Sequence, residues 1–225
     1  MSEIKGFIFD MDGTLVDSMG VWVDVDKEYL ESRGFEVPED LFSDASEGNS
    51  FTEVAYYFKD KFGIEDSIET IIQEWTELVA HKYEKSIRLK SGVKEFLDAI
   101  NQQGYKIGVG TSNSLALAGK ALKANDILHY FSSIVTGCQD IKGKPFPDIF
   151  LKSASELGLE PSECIVFEDV LAGVDAARRA GMRVIAIYDE YAKDESTLIE
   201  ELVEFYGKNF YEIAEYCVLN GLLRG

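Results

Sequence analysis

Two carboxylates two residues apart, Asp10 and Asp12, stand in Asp10-Met11-Asp12-Gly13-Thr14, directly after the apolar run Gly6-Phe7-Ile8-Phe9. The run reads as a buried strand and Gly13 as the turn that releases the chain from it. If the strand continues through Asp10, the pair brackets its C-terminal end, where open α/β sheets hold their ligands. Acids so close are costly unless a divalent cation, a shared proton or a nearby lysine compensates, although the pair alone also reads as a simple turn. Three further groups follow later apolar runs. Thr111-Ser112-Asn113 offers hydroxyls and backbone N–H groups at the start of a helix, either an anion site or an ordinary N-cap. Lys144 lies in Gly143-Lys144-Pro145-Phe146-Pro147-Asp148, where a glycine and two prolines would stiffen a loop that aims the ammonium; the alternative is a solvated loop lysine. Glu168-Asp169 closes the run Cys164-Ile165-Val166-Phe167 and reads as a cation ligand pair or as a helix cap. Taken together, the four positions predict carboxylate oxygens for Mg²⁺, with hydroxyl, amide and ammonium donors for the oxygens of a phosphoryl group.

These groups meet only if the runs that carry them are neighbouring strands. After the first strand the pattern turns helical. Trp22, Val25 and Tyr29 recur at helical spacing before Gly34, and Ser50-x-x-Glu53 forms a capping-box pattern before Val54, Phe58 and Phe62. A third stripe runs through Ile68, Ile72, Trp75, Leu78/Val79 and Tyr83, and all these aromatics read as the core of a helical bundle. From Ser91 onward strands alternate with helices: apolar runs at 105–110, 133–137, 164–167 and 183–187 are separated by helical stretches near 114–124, 147–157 and 173–180. That alternation predicts an α/β fold, a Rossmann-like doubly wound parallel sheet. The expected division is a core of residues 1–17 and 89–225 with a small α-helical cap of residues 18–88 inserted after the first strand. The acidic C-terminal stretch reads as a closing helix, an edge strand and a terminal helix.

Composition bounds the function. The 225 residues are 46% apolar, enough for one sizeable core or a core with a satellite domain, and 22 Lys+Arg against 41 Asp+Glu leave a net charge of -19. With no basic block, binding to nucleic acid or to an anionic membrane is disfavoured. No run reaches the length of a membrane span, the opening Met1-Ser2-Glu3-Ile4-Lys5 lacks a signal-like region, and the three cysteines are widely spaced, so a reduced cytoplasmic setting is expected. A monomer or weak dimer is expected. Rival motifs fail: Gly108-Val109-Gly110 lacks the third glycine of a dinucleotide site, no Gly-x-Ser-x-Gly occurs, and His81 and His129 lie away from any strand end.

At this point the chain resembles the haloacid-dehalogenase-like hydrolase superfamily, in order and over essentially its whole length. Asp10 through Ser18 is similar to the family's first motif, Thr111-Ser112-Asn113 to the second, Gly143 through Asp148 to the third, and Phe167-Glu168-Asp169 to the fourth. Residues 18–88 resemble the helical cap of the β-phosphoglucomutase-like and phosphoglycolate-phosphatase-like members. The resemblance implies a Mg²⁺-dependent phosphatase acting on a small phosphorylated metabolite, sugar- or polyol-phosphate-like, through an aspartyl-phosphate. It implies that Asp10 is the nucleophile and Asp12 the general acid and base. Mg²⁺ would be held by Asp10, the backbone carbonyl of Asp12, Asp169 and, directly or indirectly, Glu168. Thr111, the N–H groups near Ser112 and Asn113, and Lys144 would bind the phosphoryl oxygens. A phosphomutase is the first alternative, but β-phosphoglucomutases carry a histidine where this chain has Trp22, and a cap arginine in the region of Gly48-Asn49-Ser50. A receiver-like signalling module is the second; receivers place the acid pair first and the acceptor aspartate on a middle strand, the reverse of the order here.

Overall fold

A computed structural model of the chain describes residues 3–38, 51–85, 87–137 and 141–224. Gly48-Asn49-Ser50, with the first half of the capping-box pattern, and Cys138 lie outside the described residues. Six strands form one sheet, wholly parallel: β1 (Gly6–Phe9), β4 (Lys106–Thr111), β5 (Ser133–Thr136), β6 (Cys164–Glu168), β7 (Arg183–Ile187) and β8 (Phe205–Gly207). Their order is β5-β4-β1-β6-β7-β8, so the chain winds outward from β1 first to one side and then to the other. This is the doubly wound α/β arrangement, with its topological switch at β1. All four residues of β1 are buried, as a strand covered on both faces requires. Phe7 and Phe9 face α4 (Val93–Gln102), α5 (Leu115–Ala124) and α9 (Phe210–Leu219). Ile8 faces α6 (Asp148–Leu157), α7 (Leu171–Arg179) and α8 (Ser196–Leu202). The rings of Phe9 and Phe167 stack at 4.5 Å, and Phe96 and Phe210 close around them. This aromatic cluster fixes the strands whose ends carry the acids.

Between β1 and the rest of the sheet the chain leaves through a two-stranded antiparallel ribbon, β2 (Val16–Asp17) and β3 (Arg88–Leu89), with Val16 opposite Leu89 and Asp17 opposite Arg88. Three described helices lie between its strands: α1 (Met19–Ser32), α2 (Phe51–Phe62) and α3 (Ile68–Lys85). They pack around Tyr29, Phe58 and Trp75, whose ring centroids lie 4.9 to 6.3 Å apart. The fully buried stripe of α3 is Ile71, Trp75, Val79 and Tyr83, a strict four-residue repeat. Ile68, Ile72 and Leu78, expected in that stripe, are its half-buried flanks. The two-residue ribbon was not expected; it is too short to show any alternation. Among the described residues no helix is long and apolar enough to cross a membrane.

Candidate active site

The parallel register decides which side chains meet. Phe9 lies opposite Val109 on one side and Phe167 on the other, so the next residue of each chain, Asp10, Gly110 and Glu168, stands at one sheet edge. Strand β1 ends at Phe9, yet Asp10 keeps the ladder going by donating its N–H to the Phe167 carbonyl at 2.9 Å. Lys144 enters from the loop between β5 and α6, its peptide bond to Pro145 cis, and is buried to 3% exposure. Its ammonium donates to Asp10 Oδ1 and to Glu168 Oε1, both at 2.5 Å. Glu168 Oε2 accepts the backbone N–H groups of Asp169 and Val170 at 3.0 and 3.3 Å, so both of its oxygens are engaged. Asp169 Oδ1 accepts the Thr14 hydroxyl at 2.7 Å, whereas its Oδ2 is buried and has no hydrogen-bond partner. Carboxylate oxygens of Asp10, Glu168 and Asp169 all lie within 4.8 Å of one another.

Two glycines make this crowding possible. A Cβ on Gly13, which has φ +83°, would stand 2.1 Å from Asp169 Oδ2, and one on Gly173 would stand 2.0 Å from the Glu168 carboxyl. Only a residue without a side chain lets the turn after β1 and the first turn of α7 close on these acids.

Three buried carboxylates face one ammonium. Burial pushes Asp10 up to about 8, with Lys144 pulling it down and Glu168 and Asp12 adding to the rise. Burial likewise drives Asp169 well above the ordinary carboxylate range, helped by Glu168 and Asp10 and opposed by Lys90. For Lys144 burial acts downward, but Asp10 and Glu168 outweigh it and hold the ammonium charged. A site with surplus buried negative charge, hard oxygen donors and one orphaned carboxylate oxygen fits a hard divalent cation.

Asp12 points elsewhere. Its Oδ1 accepts from Ser18 Oγ at 2.5 Å, from Trp22 Nε1 at 3.3 Å and from the Tyr83 hydroxyl; its Oδ2 accepts from Asn113 Nδ2 at 2.9 Å. The Asn113 amide is oriented by its own Oδ1, which accepts the Ser114 N–H at 2.7 Å. Tyr83 is fully buried, and burial together with Asp12 keeps its hydroxyl protonated far above the ordinary phenol range. Thr111 is buried at the end of β4, and its Oγ1 accepts the Asn113 N–H at 3.1 Å.

Of the residues singled out in the sequence, Asp10, Lys144, Glu168 and Asp169 form one cluster, and Asp12 joins Asn113 in a second. Thr111 and Ser112 lie on the same strand end, Ser112 half-buried. Neither caps a helix: the cap of α5 is Ser114, whose hydroxyl accepts the Leu117 N–H at 3.3 Å. Lys144 is no solvated loop lysine, and Glu168-Asp169 does not cap α7, whose N-cap is Val170. Trp22 and Tyr83, read as bundle core, reach Asp12, and Ser18 and Thr14 were not singled out. Tyr56 is exposed, and Tyr57 packs on Phe58. His129 is exposed beside Tyr130, and the side chain of His81 is outside those described.

The family model of the haloacid dehalogenase-like hydrolases matches residues 7–187. Hexitol phosphatase A of Escherichia coli is 32% identical over 185 residues, covering 81% of this chain and 82% of that protein. The phosphorylated carbohydrates phosphatase of Thermotoga maritima is 29% identical over 197 residues, covering 88% and 91%. Among solved structures, CbbY of Rhodobacter sphaeroides in complex with phosphate superposes with a TM-score of 0.82 at 23% identity, covering 93% of this chain and 96% of that one, a likeness of fold. By that match and by the identity it shares with these relatives over most of its length, the chain belongs to the haloacid dehalogenase-like hydrolases.

Proposed function

We propose that this phosphoric monoester hydrolase is a Mg²⁺-dependent phosphatase of sugar or polyol phosphates that works through an aspartyl-phosphate on Asp10. The observation that carries the reading is the buried cluster in which Asp10 is held by Lys144 beside an Asp169 oxygen with no partner. The relatives named for hexitol and carbohydrate phosphates support the substrate class. Asp10, Asp169 and the backbone carbonyl of Asp12 would hold Mg²⁺; Glu168, with both oxygens engaged, would brace Lys144. When bound, the cation neutralises the acids and draws charge from the phosphoryl oxygens.

In the first step an Asp10 carboxylate oxygen attacks phosphorus in line, the bond from phosphorus to the substrate's ester oxygen breaks, and Asp12 gives that oxygen its proton. In the second step Asp12 takes a proton from water as the water oxygen attacks the same phosphorus, releasing inorganic phosphate and the Asp10 carboxylate. Lys144, Thr111 and the N–H groups around Ser112 and Asn113 serve the phosphoryl oxygens. Residues 18–88 act as a cap over the core of 1–17 and 89–225, and set which alcohol is accepted. We place the protein in the cytoplasm as a monomer or weak dimer, a setting supported by the free buried thiols of Cys164 and Cys217.

The test is phosphate release from a panel of hexitol phosphates, sugar phosphates, phosphoglycolate and nucleotides, with Asp10→Asn as the blank. Turnover of hexitol or sugar phosphates that vanishes in EDTA and returns with Mg²⁺ is expected. Undiminished turnover in chelator, or an active Asp10→Asn, overturns the reading.

A further inference from the structure

Asp12 is held by donors from both sides of the cap boundary. Ser18 stands at the start of α1, Trp22 lies one turn into it, Tyr83 is in the last turns of α3, and Asn113 follows β4. The Tyr83 hydroxyl is the hub. It donates to Asp12 Oδ1 and accepts from Trp22 Nε1 at 2.8 Å and from Asn113 Nδ2 at 3.1 Å. A phenol oxygen donates one hydrogen and accepts two, so every one of its positions is filled. The two Asn113 amide hydrogens divide between Asp12 Oδ2 and Tyr83, and the ring of Trp22 meets that of Tyr83 edge-on at 5.9 Å. Asp12 Oδ1 is thereby met by three donors and Oδ2 by one.

We propose that Tyr83, seconded by Trp22, is a positioning residue for Asp12: it anchors Oδ1 from the helical segment and leaves Oδ2 as the oxygen that exchanges a proton with the substrate. The inference rests on the phosphatase reading above and deepens it. Oδ1 accepts from Ser18 and Tyr83, which fill its lone pairs, and takes only a share of the single Trp22 N–H, which lies nearer the Tyr83 oxygen, whereas Oδ2 accepts the Asn113 amide and keeps a lone pair for the transferred proton. In the first step the O–H bond at Oδ2 breaks as the substrate's ester oxygen gains that hydrogen; in the second, Oδ2 regains one from water. Tyr83 keeps its proton throughout. Because Trp22 and Tyr83 lie within α1 and α3 and Ser18 is the N-cap of α1, the aim of the proton donor depends on where those helices sit. Asp12 is therefore oriented only while Trp22 and Tyr83 are seated on it.

The test is Tyr83→Phe, which removes one oxygen and retains the ring, assayed against an alkyl phosphate such as a hexitol phosphate and against p-nitrophenyl phosphate. Loss of a hydrogen bond to a charged group predicts a fall in kcat of about ten- to hundredfold on the alkyl ester with KM little changed. On p-nitrophenyl phosphate, whose leaving oxygen needs little protonation, the fall in the first step is expected to be severalfold smaller. Trp22→Phe is expected to show the same leaving-group contrast at smaller size. Unchanged kcat in a folded Tyr83→Phe, or an equal loss of kcat/KM, which reads the first step alone, on both esters, overturns the assignment, the second because a merely structural lesion does not discriminate between leaving groups. Asp12→Asn separates the two levels: if it retains full activity on alkyl phosphates the acid–base reading itself fails, and if it is inactive while Tyr83→Phe is normal only the positioning role fails.

Discussion

Lys144 and Asp169 share one small volume but answer to different charges. The ammonium bonds Asp10 and Glu168 at 2.5 Å each, and the free oxygen of Asp169 faces the same space with no partner. Removing Lys144 would leave three buried carboxylates without their cation, a change that should raise their affinity for a metal and, on the proposed mechanism, take a donor from the phosphoryl oxygens. Lys144→Ala is therefore expected to lower kcat by about a hundredfold and to leave the Mg²⁺ half-saturation unchanged or lower. Asp169→Asn acts the other way: Thr14 still finds an oxygen, but one charge and one anionic ligand are gone. Its Mg²⁺ half-saturation should rise by about tenfold or more. A Mg²⁺ titration of both variants reads the difference, and a half-saturation raised equally in the two would show that Lys144 helps build the cation site itself.

The elements that carry these residues owe their order to a shared aromatic cluster. Phe210, the first residue of α9, lies against Phe9, Phe96 and Phe167, so the C-terminal helix closes the layer under the strands that bear Asp10 and Glu168. Asn209 caps that helix, its Oδ1 accepting the N–H groups of Tyr211 and Glu212 at 3.0 Å each. Asn209→Ala should cost about 1 kcal/mol, a fall in Tm of about 2–4 °C by differential scanning calorimetry with kcat unchanged, whereas Phe210→Ala should cost about 3–5 kcal/mol. These strands were legible in the sequence because a strand buried on both faces is a continuous apolar run, and the acids stood out because each follows such a run directly. The ribbon of Val16–Asp17 and Arg88–Leu89 was not legible, since two residues cannot express an alternation. Nor was the work of Trp22 and Tyr83. At helical spacing an aromatic that packs and one that also aims its polar edge at a carboxylate look alike; only the fold shows that Asp12, far from Tyr83 in sequence, supplies the acceptor. Ser114 hid behind Thr111 and Ser112 for a similar reason, because three neighbouring hydroxyls all suit a cap.

At the scale of the whole molecule, the site works against the stability of the metal-free chain. Burial pushes Asp10 up to about 8 and lifts Asp169 well above its ordinary value of 3.8, and Asp26, buried on α1 and outside the acid cluster, is pushed up to about 7 in the same way. Such groups keep their protons in the native state at pH values where the unfolded chain releases them, so the native state binds more protons between about pH 4 and pH 8. Stability contributed by these acids is fully present below the unfolded value and is lost as pH rises through the folded one. The formal charge of -19 adds self-repulsion in the same direction. A divalent cation bound as proposed should reverse the slope, because it would bind the ionised Asp10 and Asp169 and stabilise only the native state. At a hundred times its dissociation constant it would add about 2.7 kcal/mol, or about 5–10 °C in a chain of this size. Thermal melts in EDTA should accordingly fall from about pH 5 to about pH 8, and the increment on adding Mg²⁺ should grow over the same interval. General screening of a charged surface would be matched by sodium at equal ionic strength and would survive in Asp169→Asn. Site binding requires that sodium give less and that Asp169→Asn lose most of the increment; an increment equal at both ends of the pH range, or intact in that variant, would place the cation elsewhere on the molecule.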